Sequence, residues 1–413
     1  MGIINRKKIL LAEISVVRLI VILLQLYFLK LYSKYTSTYD LGIYYFWVTA
    51  SYSLNALILV PLDYFQQSRL YYLKSNQISI KSFKGINQFV FWSGILISTV
   101  SLVITGIIQA NMCLYIFFSI ATSYGVYYVN LYRGFINNLE RRRQAIYTLL
   151  LEVTVKIFLY LLLLKFFAAT SLLIMMVSLF ASATSLLVLL YFTRRLEEYK
   201  FIKHENYSFG EIFKFSYPLS LSAAINWIQL QGYRLLLVPL GLVEMVGIYG
   251  TVSNVGTGGM NAYSTIFNQL FLPNLYKTDG KYITTYLRNA ILSILFIMIC
   301  SFILKDYIVT FLTKPAFKTF SILILYGIVA EAGNFLVNGL TVYMTIHKLT
   351  GKTTKIGFWG LLFFFSTFGI LFILKAITIY SIGLPITLTQ LFTVVVLVII
   401  MVRHKKILTT KHL

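Results

Sequence analysis

The sequence predicts an all-α polytopic membrane protein with about 12 transmembrane helices, in two six-helix, pseudo-symmetric bundles around a central cleft. Three observations carry that prediction. Apolar stretches near the roughly 20 residues a helix needs to cross a bilayer core follow one another along the whole 413-residue chain. Lys and Arg gather in alternate connections between them. A short motif also returns at nearly half the chain length.

The spans fall at 9–32, 41–62, 88–109, 112–132, 145–165, 168–192, 215–238, 245–272, 286–304, 319–345, 355–374 and 380–402. The first lacks a small-residue cleavage site and contains Glu13 and Arg18, so it reads as a retained helix and not a signal peptide. Those two charges are five residues apart, about 140° round a helix, and pair poorly with each other. Arg18 instead shares a face with Ser15 and Gln25. Span 2 carries Tyr45, Thr49, Tyr52 and Asn55, and residues 63–87 after it form the longest connection. Span 4 carries Ser123, Tyr127 and Asn130. In span 5, Glu152 and Lys156 are four apart and suited to pair within one helix.

The charged segment 193–214 divides an N-terminal bundle, 1–192, from a C-terminal bundle, 215–413. At its end Ser208 and Glu211 have the spacing of a capping box that starts the seventh helix. Span 7 then carries Ser222, Asn226, Gln229 and Tyr233 at helical spacing, with Gln231 and Arg234 nearby. Span 8 carries Asn254, Thr257, Asn261, Ser264 and Asn268. Gly256, Gly258 and Gly259 are expected to interrupt it, and Pro61, Pro218, Pro239 and Pro273 stand near span ends. Span 10 carries Glu331, Asn334, Asn338, Thr341 and Thr345. The loops on the other side from the linker are short, the longest being about 305–318.

Charge fixes the expected orientation. The even-numbered connections and both termini, with Arg288 and Lys355 at span ends, hold 26 of the 36 Lys plus Arg; the odd-numbered connections hold six. Positive-inside bias therefore puts both termini in the cytoplasm. The net charge of +23 beside 58% hydrophobic and 12% charged residues belongs next to anionic headgroups and not on nucleic acid, and no DNA-binding motif accompanies it. Cys113 and Cys300 show no metal or redox spacing, and no cofactor is implied.

Gly42-Ile43-Tyr44 at the start of span 2 recurs as Gly247-Ile248-Tyr249 at the start of span 8, each after a short loop with one acid, Asp40 or Glu244. An offset of six spans makes the halves parallel repeats, related by an axis along the membrane normal. Polar residues are expensive in hydrocarbon. One Ser or Thr suits helix-to-helix bonding, whereas the stripes of spans 7, 8 and 10 together suit the wall of a hydrated passage. Lys30, 12 residues before Gly42, and Arg234, 13 before Gly247, sit at nearly equivalent heights. Lys30 suits either snorkelling to the outer interface or facing the cleft. Arg234 has no acid within one turn along the sequence, and its guanidinium suits bidentate phosphate recognition. Glu331 has no local cation in the sequence and is the candidate for ion coupling, with a structural carboxyl as the other reading.

The stretch Phe213 to Tyr249, FKFSYPLSLSAAINWIQLQGYRLLLVPLGLVEMVGIY, has Pro218 opening span 7, an Arg before an apolar run and Gly-Ile-Tyr opening span 8. It resembles the mid-chain signature of bacterial polysaccharide (O-antigen type) flippases of the multidrug, oligosaccharidyl-lipid and polysaccharide export superfamily. The motif covers mostly residues 213–277, with an echo at 9–74; span count, six-plus-six division and inside termini fit along the whole chain. The resemblance implies transport of an undecaprenyl-diphosphate-linked oligosaccharide, an O-antigen, lipopolysaccharide or capsule repeat unit, from the cytoplasmic to the periplasmic leaflet of the bacterial inner membrane. Spans 1, 2, 7 and 8 would line the cleft. The residues expected on substrate are Arg234, Arg18, Lys30, Asn226, Gln229, Asn254 and Asn261. Implied partners are the lipid-linked substrate, membrane lipids, a proton or sodium ion, and polysaccharide polymerase machinery. A multidrug exporter or another lipid-linked-precursor exporter would share the superfamily, though the basic residues argue against drug cations. A polysaccharide polymerase or ligase is the enzyme alternative. It fits poorly: His204, His347, His404 and His412 all fall on the expected cytoplasmic side, and no outward loop is long.

Overall fold

The computed structural model describes residues 2–108 and 110–410, without the side chains of 2–12, 108, 110, 111, 218, 219, 350 and 406–410. The side chains of Arg6, Lys7, Lys8, Pro218 and Lys406, and all of Lys411 and His412, therefore lie outside the described residues. Among the described residues there are twelve long helices: α1 Gly2–Tyr35, α2 Thr38–Ser75, α3 Lys84–Ile108, α4 Ala110–Asn138, α5 Arg142–Leu163, α6 Ser171–Arg194, α7 Phe209–Leu237, α8 Val243–Lys277, α9 Ile283–Leu312, α10 Leu323–Ile346, α11 Thr350–Ile373 and α12 Gly383–Thr410. Ten are long and apolar enough to cross a membrane; α7 and α8, whose polar stripes lower their hydropathy, fall outside that set. Large apolar side chains face outward, with Trp92 65% and Ile107 81% exposed, as expected where lipid and not water is the solvent. The chain is a multi-pass membrane protein.

It divides into two compact units: Met1–Phe28 with Tyr35–Ala224, and Leu29–Lys34 with Ile225–Leu413. The boundary lies inside α7, past the linker, because residues 193–214 are knit onto the first unit. Ser79 N–H donates to the Lys203 carbonyl at 2.8 Å, and Glu205 N–H to Ser82 Oγ at 3.0 Å. Tyr207 stacks on Phe83, centroids 5.5 Å apart. The capping box forms as expected: Glu211 N–H donates to Ser208 Oγ at 3.2 Å, and Ser208 N–H returns to Glu211 Oε2 at 3.3 Å.

In the first unit, α2 outruns its expected span and absorbs half of the connection expected at 63–87. Its continuity depends on a π-turn at Asn55–Leu59, immediately before Pro61. A proline ring clashes with the carbonyl four residues back and offers no N–H, and a widened turn relieves both. Asn55 Nδ2 ties this turn to the Ser123 carbonyl of α4 at 2.8 Å. Arg133, expected in a connection, lies within α4 and reaches Glu152 Oε2 on α5 at 2.7 Å and Ser185 Oγ on α6 at 3.2 Å. Lys156 reaches the other Glu152 oxygen at 2.8 Å, so the predicted Glu152–Lys156 pair is part of a three-charge cluster. Glu13 pairs with Arg143 of α5 and accepts from Tyr147 Oη at 3.0 Å, leaving Arg18 to its own face.

In the second unit, α8 runs unbroken for 35 residues. Its glycines do not interrupt it, which corrects the expectation from sequence. Gly256 instead lets α10 approach: a Cβ there would come within 2.1 Å of the Ile324 carbonyl oxygen, and one on Gly327 within 1.9 Å of the Ser253 carbonyl oxygen. Small residues at such crossings allow the backbone contact that drives helix association in lipid. The two Gly-Ile-Tyr triplets occupy one register, since Gly42 and Gly247 are each the fifth residue of their helix and both are buried.

Candidate functional site

The α8–α10 contact brackets a small polar cavity of about 40 Å³ within the second unit. The C-terminal half of α7 supplies Gln231, Tyr233 and Arg234; α8 supplies Tyr249, Ser253, Asn254 and Thr257; α10 supplies Gly327 and Glu331. Each set follows helical spacing. On α8, Ser253 and Thr257 are four apart and share a face, and Tyr249 stands one turn before Ser253.

Arg234 is 6% exposed. A guanidinium in low dielectric is stable only when its N–H groups are hydrogen-bonded. Its Nε donates to Tyr233 Oη at 2.8 Å and Nη2 to Asn254 Oδ1 at 3.4 Å, while its carbon lies 5.3 Å from the Tyr233 ring centroid. Tyr249 meets Tyr233 edge-on at 5.2 Å and fixes that ring. Across the cavity the Glu331 carboxylate accepts from Asn334 Nδ2 at 3.5 Å, a long contact that leaves most of its acceptor capacity available. The buried Gln231 Oε1, also on the lining, has no hydrogen-bond partner among the described residues. A space of this size has room for a few waters. The cavity thus holds a cation, a carboxylate and several amides and hydroxyls, a set suited to binding an anion at Arg234 and moving a proton or small cation at Glu331.

Of the residues expected on substrate, the structure gathers Arg234 and Asn254 here, and it adds Glu331 to the same cavity. Gln229 is turned the other way: its Nε2 donates to the Gly357 carbonyl of α11 at 2.8 Å, a bond between helices. Asn226 is exposed one turn before it. Asn261, also exposed, lies two turns along α8 from Asn254 and accepts from Thr265 Oγ1 at 3.5 Å. Lys30 lies 4.6 Å from the Phe311 ring centroid, a cation–π contact at the end of α9. Arg18 is half-buried on the part of α1 that belongs to the first unit.

Asp63 was not singled out from the sequence. It is 7% exposed within α2, accepts from Gln67 Nε2 at 2.7 Å, and Gln67 in turn accepts from Asn138 Nδ2 at 3.1 Å. The spacing of Asp63 and Gln67 at i, i+4 was the available signal. The expectation of a loop there hid it.

Neither a protein-family model nor a curated protein sequence matches the chain. Solved structures do. An inward-facing multidrug resistance MATE family transporter of the MOP superfamily aligns with TM-score 0.64 at 12% identity, covering 95% of this chain and 99% of that one. The lipid II flippase MurJ, in an inward closed conformation, aligns with TM-score 0.66 at 14% identity, covering 94% and 87%. An outward-facing MATE family transporter gives TM-score 0.61 at 12% identity, covering 93% of both chains. At these identities the likeness establishes the fold: this chain has the architecture seen in MOP superfamily transporters and in a lipid II flippase.

Proposed function

We propose that this protein is a flippase that moves an undecaprenyl-diphosphate-linked oligosaccharide from the cytoplasmic to the periplasmic leaflet by alternating access, with both termini cytoplasmic. The observation that carries this reading is Arg234, a guanidinium held by Tyr233 and Asn254 on the wall of a buried polar cavity, in a fold shared with a lipid II flippase. A diphosphate and sugars do not cross hydrocarbon unaided. A buried guanidinium with an amide beside it supplies charge and forked donors to phosphate oxygens. The cavity is of water size here, so the head group reaches Arg234 only when the surrounding helices part. Asn226 and Asn261 are exposed on the same helices and are assigned to the sugars; Arg18 and Lys30 are assigned to the approach of the anion. A multidrug extruder would share the fold, and the cationic wall is the feature that argues against drug cations.

The test is export per molecule. Arg234→Lys keeps the charge without the fork and should lower surface polysaccharide relative to membrane protein. Arg234→Ala should lower it further, with lipid-linked oligosaccharide accumulating on the inner leaflet. Normal export per molecule in Arg234→Ala would exclude the role.

A further inference from the structure

We propose that the first unit holds a resident anionic phospholipid in a groove between α3, α4 and α6, with its phosphate at Lys81 and Lys84 and an acyl chain along α4. The groove encloses about 1070 Å³. Its floor is a column of Tyr124, Tyr128 and Tyr132, one turn apart on α4. Two of their hydroxyls are turned aside: Tyr128 Oη donates to the Asn87 carbonyl at 2.7 Å, and Tyr124 Oη lies 3.4 Å from Ser93 Oγ. The rings therefore present apolar faces. Tyr124 also packs against Gly94, where a Cβ would come within 2.8 Å of the ring.

Charge decides the occupant. Lys81 and Lys84 are exposed at one end of the groove, with Lys81 4.7 Å from the Tyr199 ring centroid, and no carboxylate appears among the described residues lining the groove. They belong to the connection that the positive-inside bias assigns to the cytoplasmic face, where anionic lipid is found. From Lys84 to Leu102, both on the lining, α3 rises about 27 Å, more than the roughly 15 Å of one leaflet's hydrocarbon. A chain anchored at the lysines fits that length. Trp92 and Phe91 on the same wall are exposed, so the groove is open to lipid from the side.

Purified full-length protein is titrated with phosphatidylglycerol and, separately, phosphatidylcholine of matched chains, and retained lipid is read by native mass spectrometry. The wild type should retain phosphatidylglycerol about fivefold or more over phosphatidylcholine, since each lysine near an anionic headgroup contributes about that factor. Lys81→Gln with Lys84→Gln should abolish the preference, whereas Lys352→Gln with Lys355→Gln in the second unit should leave it. Ala121→Phe, which fills the groove without touching the lysines, should lower retention of both lipids. Inorganic phosphate should not displace the lipid. Four results would each overturn the assignment: no headgroup preference in the wild type, an undiminished preference for phosphatidylglycerol in the Lys81/Lys84 variant, displacement by phosphate alone, or one-for-one displacement by a prenyl diphosphate, which would make the groove a site for the substrate's tail.

Discussion

Arg234 on α7 and Glu331 on α10 are 97 residues apart in the sequence and line one small cavity, with Asn254 of α8 between them in the chain and on the same wall. Two ionisable side chains that are expensive to place in hydrocarbon thus line one polar space.

If Glu331 carries the coupling ion, Glu331→Gln should keep the shape and hydrogen bonds of the side chain and lose the titration. Export driven by an imposed proton or sodium gradient should fall at least tenfold while protein in the membrane is unchanged. Transport in Glu331→Gln that still follows the gradient would remove the role.

The α8–α10 crossing tolerates no side chain at Gly327. Gly327→Ala puts a Cβ where the Ser253 carbonyl oxygen stands, 1.9 Å away. The helices must separate, at a cost on the order of 2 kcal/mol or more. Thermal unfolding in detergent should shift down by several degrees, and Gly351→Ala, where nothing lies within 4 Å, should not shift it.

The cluster Arg133–Glu152–Lys156 makes a third prediction. Arg133→Met leaves Glu152 with one cation and should lower stability by about 3 kcal/mol. Arg133→Met, Glu152→Leu and Lys156→Met together remove every charge and should recover most of that loss. A triple variant less stable than the single one would show that the cluster contributes net stability.

At the end of α10, His347 lies 4.8 Å from His404 between ring centroids, and His404 Nδ1 is 3.1 Å from Tyr343 Oη. Burial, and then the neighbouring His404 and Lys405, hold the His347 imidazole below its ordinary value of 6.5, against the opposing pull of Asp279. The folded state therefore prefers neutral His347. Its contribution is complete above pH 6.5 and is lost as pH falls below 6.5 toward the folded value. The melting temperature should drop between pH 7.5 and 5.5, and by less in His347→Gln. An identical drop in both proteins would place the pH dependence elsewhere.

The number, order and approximate positions of the twelve helices were determined by the sequence, because each must satisfy its backbone within itself and show apolar side chains to lipid, a requirement written residue by residue. The capping box at Ser208 and Glu211 and the pair at Glu152 and Lys156 were legible for the same reason, being local. The candidate cavity was legible in its parts: Arg234, Asn254 and Glu331 each stood out as polar groups in apolar stretches. That α7, α8 and α10 bring them together, while Gln229 turns to Gly357 and Lys30 to Phe311, depends on how the helices rotate about their axes, and only tertiary packing sets that. The same holds for Gly256, which reads as a break along the chain and acts, with Gly327 of α10, as a contact point between helices. Asp63 and Arg133 look like loop residues because they are charged. The structure keeps them helical because partners on the same or neighbouring helices, Gln67 for one and Glu152 for the other, satisfy them away from water.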